Sequence, residues 1–178
     1  VQELHDIGVN VSQMKLLGYT PSELYTNTIY TLTEIKAGGY TATEFKNDAN
    51  MTVQNSHDAG FTVAEMRAAS YSASELKNIY ELTEIRLGGY TAGQFLANSD
   101  LDVEDSHDAG FTAAEMKTAG HTVGELKNSY TIDEIYDASF SFAEMQPHYT
   151  LNQLKVVGFS AQTMSCLLYT SDAADDLL

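Results

Sequence analysis

Two phrases, Ser56-His57-Asp58 and Ser106-His107-Asp108, bring the three residue types of a hydrolase triad together. Side chains adjacent in one chain cannot place nucleophile, base and orienting carboxylate in one hydrogen-bonded line, so the letters do not make a triad. No G-x-S-x-G elbow occurs to expose a serine above a sheet. In both phrases Ser stands where related segments carry an apolar anchor, which predicts a looser cap or linker there. Asp100, Asp102, Glu104, Asp105 and Asp108 open like a calcium loop, but the sixth and twelfth places hold Asp105 and Phe111 instead of Gly and a bidentate Glu. Weak, adventitious calcium binding is the most this pattern supports. A metal ladder through His5, His57 and His107 would need one long repeat per turn, and each His brings a single Asp neighbour. No catalytic residue, metal ligand or cofactor is expected. The residues singled out as a candidate partner-binding set are His57, Asp58, Asp105, His107 and Asp108.

These residues are positioned by a short element written many times over. Its clearest copy is Gly110-Phe111-Thr112-Ala113-Ala114-Glu115-Met116-Lys117-Thr118-Ala119-Gly120. Thr112 and Glu115 have the spacing of a capping box, in which hydroxyl and carboxylate each satisfy an orphan amide at a helix start. Phe111 and Met116 stand at the two positions of a hydrophobic staple, and Gly120 supplies a left-handed stop. Copies begin at Val9, Tyr19, Tyr30, Tyr40, Met51, Phe61, Tyr71, Tyr80, Tyr90, Leu101, Phe111, His121, Tyr130, Phe140, Tyr149 and Phe159. The second position is Ser or Thr in thirteen of these sixteen copies, with Glu81 the one poor cap, so the pattern is a repeat and not a chance match. All nine basic residues (Lys15, Lys36, Lys46, Arg67, Lys77, Arg86, Lys117, Lys127, Lys155) fall at the seventh position, a column that His57 and His107 also occupy. A cation late in a short helix complements the dipole and can pair with Glu on a neighbouring helix. That accounts for the column more simply than a stripe for docking an acidic partner.

A longer cycle lies above the short one. Sixth-position residues run Met14, Leu24, Ile35, Phe45, Ser56, then Met66, Leu76, Ile85, Phe95, Ser106, then Met116, Leu126, Ile135. The third round then departs, with Met145 and Leu154. Each predicted helix has about seven residues, near 10 Å, too short to survive alone, so burial in a stack must hold it. The first, sixth and ninth positions supply one apolar stripe. The expected fold is all-α, a solenoid of about sixteen very short capped helices, with five helices to a superhelical turn. Superunits are expected at 9–60, 61–110 and 111–158 within one array spanning 1–165. The alternative is a right-handed β-helix resembling pentapeptide-repeat proteins, some of which mimic DNA, since apolar residues also recur every five. Joints of nine (Tyr71 to Tyr80) and eleven (Tyr40 to Met51) residues argue against it.

Cys166 to Asp176 resembles the translation of a sequencing adapter, so 166–178 is read as a non-native tail and the chain, which starts at Val1, as an open-ended fragment. Without that tail 22 acids face 9 bases, against the −16 of the whole chain. Such a surface disfavours nucleic acid and anionic membrane. The aromatic first positions could stack bases or sugars, but the staple explains them without a ligand. The motif, [FY]-[ST]-x-x-E-[LMIF]-[KR]-x-[AG]-G over 9–165, resembles tandem short-helix decapeptide repeats in proteins of environmental microbes and large viruses. That resemblance implies no assigned activity. The expected function is a non-enzymatic scaffold that binds a protein partner or its own copies, with no small-molecule ligand. The rival expectations are a structural, surface-array or adhesion protein with weak calcium binding or, for a β-helix, an acidic DNA mimic.

Overall fold

The computed structural model describes residues 1–26, 29–97 and 100–164; the adapter-like tail at 166–178 lies outside them. Among the described residues the elements are α1 Gln2–Asp6, α2 Val11–Leu16, α3 Pro21–Tyr25, α4 Leu32–Ala37, α5 Ala42–Asn47, α6 Val53–Asp58, α7 Val63–Ala68 and α8 Ala73–Leu76. They continue as α9 Leu82–Leu87, α10 Ala92–Phe95, α11 Val103–Asp108, α12 Ala113–Thr118, α13 Val123–Leu126, α14 Ile132–Asp137, α15 Phe142–Met145 and α16 Leu151–Val156. A further helical turn covers 161–164. No strand occurs among the described residues, so the fold is all-α and solenoid-like, and the β-helix alternative falls.

Each helix from α2 to α16 is started by its own side chains, whereas α1 opens at Val1 with no side-chain cap. The Thr112 hydroxyl accepts from the Glu115 amide at 3.2 Å, and the Glu115 carboxylate accepts from the Thr112 amide at 2.8 Å. The same reciprocal pair forms at Thr31 with Glu34, Thr62 with Glu65 and Ser141 with Glu144. Chemistry at the fifth position can change without loss of the cap: Gln13 serves Asn10, and Asp105 serves Asp102. Even at Glu81 the amide still donates to the Glu84 carboxylate, at 3.1 Å. Many of the helices, though not α5, α8, α13 or α15, stop at a left-handed residue, Gly120 at φ +97° for instance. Ser70 and Ser139 take the same conformation, at φ 64° and 62°, where a side chain makes it less favourable. Helices are four to six residues long, shorter than the seven expected, because the last residues before the stop are already turn.

Burial follows the repeat. The sixth-position anchors Met14, Leu24, Ile35, Phe45, Met66, Leu76, Ile85, Phe95, Met116, Leu126 and Ile135 are all fully buried. The third position, absent from the apolar stripe expected above, is buried as well at Val11, Ala42, Val63, Ala73, Ala113 and Val123. Ser56 and Ser106 are as buried as the apolar anchors, and α6 and α11 are regular capped six-residue helices. The looser linker expected there is therefore corrected. Small serines follow the large Phe45 and Phe95, and the Ser56 hydroxyl is satisfied by Tyr71 Oη at 2.9 Å.

The stacking also corrects the five-helix turn. Tyr hydroxyls at the first position donate to the first-position carbonyl two motifs back: Tyr30 to Val9 at 2.7 Å, Tyr80 to Phe61 and Tyr130 to Phe111, both at 2.8 Å. Tyr40 and Tyr90 donate in the same way to Tyr19 and Tyr71. Seventh-position lysines reach three helices forward, as from Lys15 in α2 to Glu44 in α5. With neighbours two and three helices along, a layer holds roughly two and a half helices. Five helices then complete two layers, which is why the side-chain cycle returns after five.

The chain forms two compact units, Val1–Tyr90 with Ala97–Asp100, and Thr91–Leu96 with the described residues from Leu101 on. In the first, α4 packs on α6 and α5 on α7; in the second, α10 packs on α12 and α12 on α14. Each unit has its own core of the same repeated positions.

Candidate functional site

The seventh-position side chains build two kinds of seam between a helix and the third one along. In the lysine seam an ammonium meets three acceptors at once. Lys36 Nζ of α4 donates to the Gly60 carbonyl at 2.7 Å and to Glu65 Oε2 at 3.1 Å, and lies 4.5 Å from the centre of the Phe61 ring. Lys15 repeats this on Gly39, Glu44 and Tyr40, and Lys46 on Ser70, Glu75 and Tyr71. In the second unit Lys117 donates to the Ser139 carbonyl at 2.6 Å under the Phe140 ring. Arg67 and Lys77 donate to the corresponding carbonyls, of Gly88 and Asp100. An ion pair with a Glu on another helix is what the sequence predicts; the carbonyl and the ring face are additions.

The carboxylates respond to these contacts. At Glu65 the hydrogen bond from the Thr62 amide, joined by that from Lys36, outweighs burial and holds the carboxyl below the usual glutamate range. At Glu44 and Glu75 burial is the largest influence and pushes upward, but the lysine and cap hydrogen bonds together prevail and the net shift is down. Burial pushes the Tyr40 and Tyr90 phenols up to about 12.

In the histidine seam an imidazole takes the lysine's place. His57 of α6 meets the Tyr80 ring edge-on, with centroids 5.0 Å apart at 75°. His107 of α11 meets Tyr130 at 5.0 Å and 88°, and His5 of α1 meets Tyr30 at 5.3 Å and 80°. Within their own helices His57 Nδ1 lies 3.1 Å from Asp58 Oδ1, and His107 Nδ1 3.8 Å from Asp108 Oδ1. Gln54 donates to Asp58 at 2.7 Å, and that bond, followed by the contact with His57, lowers the Asp58 carboxyl.

These contacts place every candidate residue. His57 with Asp58, and His107 with Asp108, are half-exposed neighbours on single helices, while Ser56 and Ser106 turn into the core. Ser106 Oγ donates to the Asp102 carbonyl, and Asp105 is occupied in the cap with Asp102. Serine, histidine and aspartate thus face different surroundings. Asp100 accepts from Ser74 Oγ at 2.9 Å. Among the described residues no group of three or more His, Cys, Asp or Glu stands close enough to hold a metal ion.

Open grooves run beside the seams at matching places of the repeat. One of about 360 Å³ lies between α4, α5 and α7, walled by Lys36, Tyr40, Phe61, Glu65 and Ala68. Its counterpart in the second unit, about 400 Å³, is walled by His107, Phe111, Ala114, Glu134 and Asp137. The next one along, about 450 Å³, has Lys117, His121, Phe140, Glu144 and His148.

Residues 27–92 match the family model described as a decapeptide repeat region. The chain carries a decapeptide repeat array. No curated protein and no solved structure gives a match to the chain. The ten-residue spacing of the decapeptide array and its capped short helices are the same feature seen in sequence and in space. Sequence reasoning missed the Tyr hydroxyl bonds and the carbonyl contacts of the lysines, although the column of Tyr and the column of Lys were the signal for both. Among the described residues no helix is long and apolar enough to cross a membrane.

Proposed function

We propose that the array is a non-enzymatic scaffold that binds another protein along its repeated grooves. The observation that carries this reading is the recurrence of open grooves of about 360 to 450 Å³ at equivalent positions in both units. Their walls pair aromatic and alanine surface with polar groups, a composition suited to successive side chains of a partner. The residue types that suggested catalysis have structural roles: Ser56 bonds Tyr71, and Asp105 caps α11. The acidic balance disfavours nucleic acid as the partner.

The test is site-specific photocrosslinking in cells that express the protein, with benzoylphenylalanine at Ala68 or Ala114, both groove positions. One discrete adduct, lost when the same groove is filled from another wall by Thr43→Arg (for the probe at Ala68) or Asp137→Arg (for the probe at Ala114), is the expected result. An adduct between copies of the chain identifies self-association as the binding mode. A smear unaffected by filling the groove overturns the proposal.

A further inference from the structure

We infer that the groove between α11, α12 and α14 receives a lysine or arginine side chain of the protein partner, seated on Glu134 and Asp137 as the array seats its own lysines on its own glutamates. The inference rests on the grooves being partner sites and says what one of them selects. Elsewhere the array shows what this geometry recognises. In three lysine seams a seventh-position ammonium is held by the fifth-position carboxylate and the first-position ring of the third helix along: Lys15 by Glu44 and Tyr40, Lys36 by Glu65 and Phe61, Lys46 by Glu75 and Tyr71. At α14 the carboxylate is Glu134 and the ring Tyr130, but the residue offered to them by α11 is His107. The imidazole meets Tyr130 edge-on. Among the described residues no donor from another helix is bonded to Glu134, whose carboxylate accepts from Thr131 of its own cap.

Equivalent grooves can be compared wall by wall. The one beside Lys36 and the one beside His107 are lined from the same places in the repeat, with His107 for Lys36, Ala114 for Thr43 and Asp137 for Ala68. A groove whose charges cancel has become one with two carboxylates and no fixed cation. The next groove along keeps Lys117 with Glu144 and has Pro147 in the place of Asp137, so the excess of acid is confined to one of the three. Phe111 and Ala114 give this groove an apolar surface for the methylenes of a long basic side chain to cover while its head stays at the carboxylates. Complementary charge then selects such a side chain over an aliphatic or an acidic one. At least six of the chain's nine basic residues are already held at main-chain carbonyls, which favours a different protein over a second copy as the source of the cation.

The test titrates the full, isotope-labelled chain with three capped pentapeptides, Ala-Ala-X-Ala-Ala, where X is lysine, norleucine or glutamate, and follows binding by NMR. The lysine peptide should shift the Ala114 methyl and the Glu134 and Asp137 amides, and should bind more tightly than the other two. Asp137→Asn and Glu134→Gln should each weaken it about two- to fivefold, the scale of one partly exposed ion pair. Glutamine already fills the equivalent cap position at Gln13 and Gln153, so the start of α14 is preserved. Asp133→Asn, which removes an exposed acid of the same helix outside the groove walls, should have no effect. His107→Lys, which restores the internal cation, should abolish the preference for the lysine peptide.

Equal binding of the three peptides overturns the inference. So does a loss with Asp133→Asn as large as that with Asp137→Asn, because the attraction would then belong to the acidic surface at large. The two readings fail separately: a discrete Ala114 adduct without a lysine preference sinks this inference and leaves the scaffold, whereas a smear sinks the scaffold whatever the peptides do.

Discussion

Helices α4 and α6 share a backbone, a reciprocal cap and a place in the core, yet their central pairs are Ile35-Lys36 and Ser56-His57. Ile35 and Ser56 are both fully buried, and Lys36 and His57 both lie against the aromatic residue that opens the third helix along. One helix grips with apolar bulk and a permanent charge, the other with a hydrogen bond and a titratable ring. The backbone of a capped helix so short is indifferent to its anchor. What sets the anchor is the space left by the layer around it.

The strongest way to break this comparison is to give α4 the anchor of α6. Ile35→Ser should destabilise the first unit by about 3 to 4 kcal/mol in denaturant unfolding, since it leaves a cavity and an unpartnered hydroxyl that no Tyr71 is placed to satisfy. A loss below about 1 kcal/mol would show the layers to be adaptable.

Next in size is a test of how layers match each other. A Cβ at Gly88 would lie 2.2 Å from Val63 Cγ1, and one at Gly38 equally close to Val11 Cγ1. Fifty residues on from Val63 and Gly88, the same two positions are Ala113 and Ala138, both buried. Bulk removed from one helix is returned on the other. Gly88→Ala should cost about 1 to 3 kcal/mol, and Val63→Ala in the same chain should recover part of it, giving a coupling energy that a double-mutant cycle measures.

Tyr71→Phe should cost about 1 to 2 kcal/mol by stranding the buried Ser56 hydroxyl, whereas adding Ser56→Ala should bring the loss back toward zero. Equal losses in the single and double variants would mean that the Tyr71 hydroxyl has another partner. The smallest effect is that of the seam itself. Lys36→Met should cost about 0.5 to 1 kcal/mol, the scale of a partly exposed pair. Its pH dependence has a definite sign: Glu65 is held below its usual value, so this stability is present above about pH 4.3 and is lost as pH falls through the folded value. Acid melts that compare wild type with Lys36→Met should converge there.

Element starts were legible because each is written within four residues: Thr62 and Glu65 need no distant information to form their cap. Left-handed stops at Gly60 and Gly120 were legible for the same reason. Ser70 and Ser139 were not, since nothing local marks a serine for a conformation that costs it energy. Which helix touches which could not be read from a period of ten, because a stack with five helices per layer and one with between two and three give the same local pattern. The Val63–Gly88 and Ala113–Ala138 exchange did hold that information, as a compensation across twenty-five residues. The candidate residues were found as letters, but their roles depended on register: Asp105 became a cap, and His57 and His107 occupants of a seam.

The packing of unlike neighbours constrains how such a gene can lengthen or shorten. Duplicating a single decamer shifts every later anchor by one place, setting Phe where Ser had been accommodated and valine against a residue with no room for it. A block of five decamers restores both the orientation of each helix and the size of what it faces. Gains and losses that leave the interior intact therefore come in steps of fifty residues.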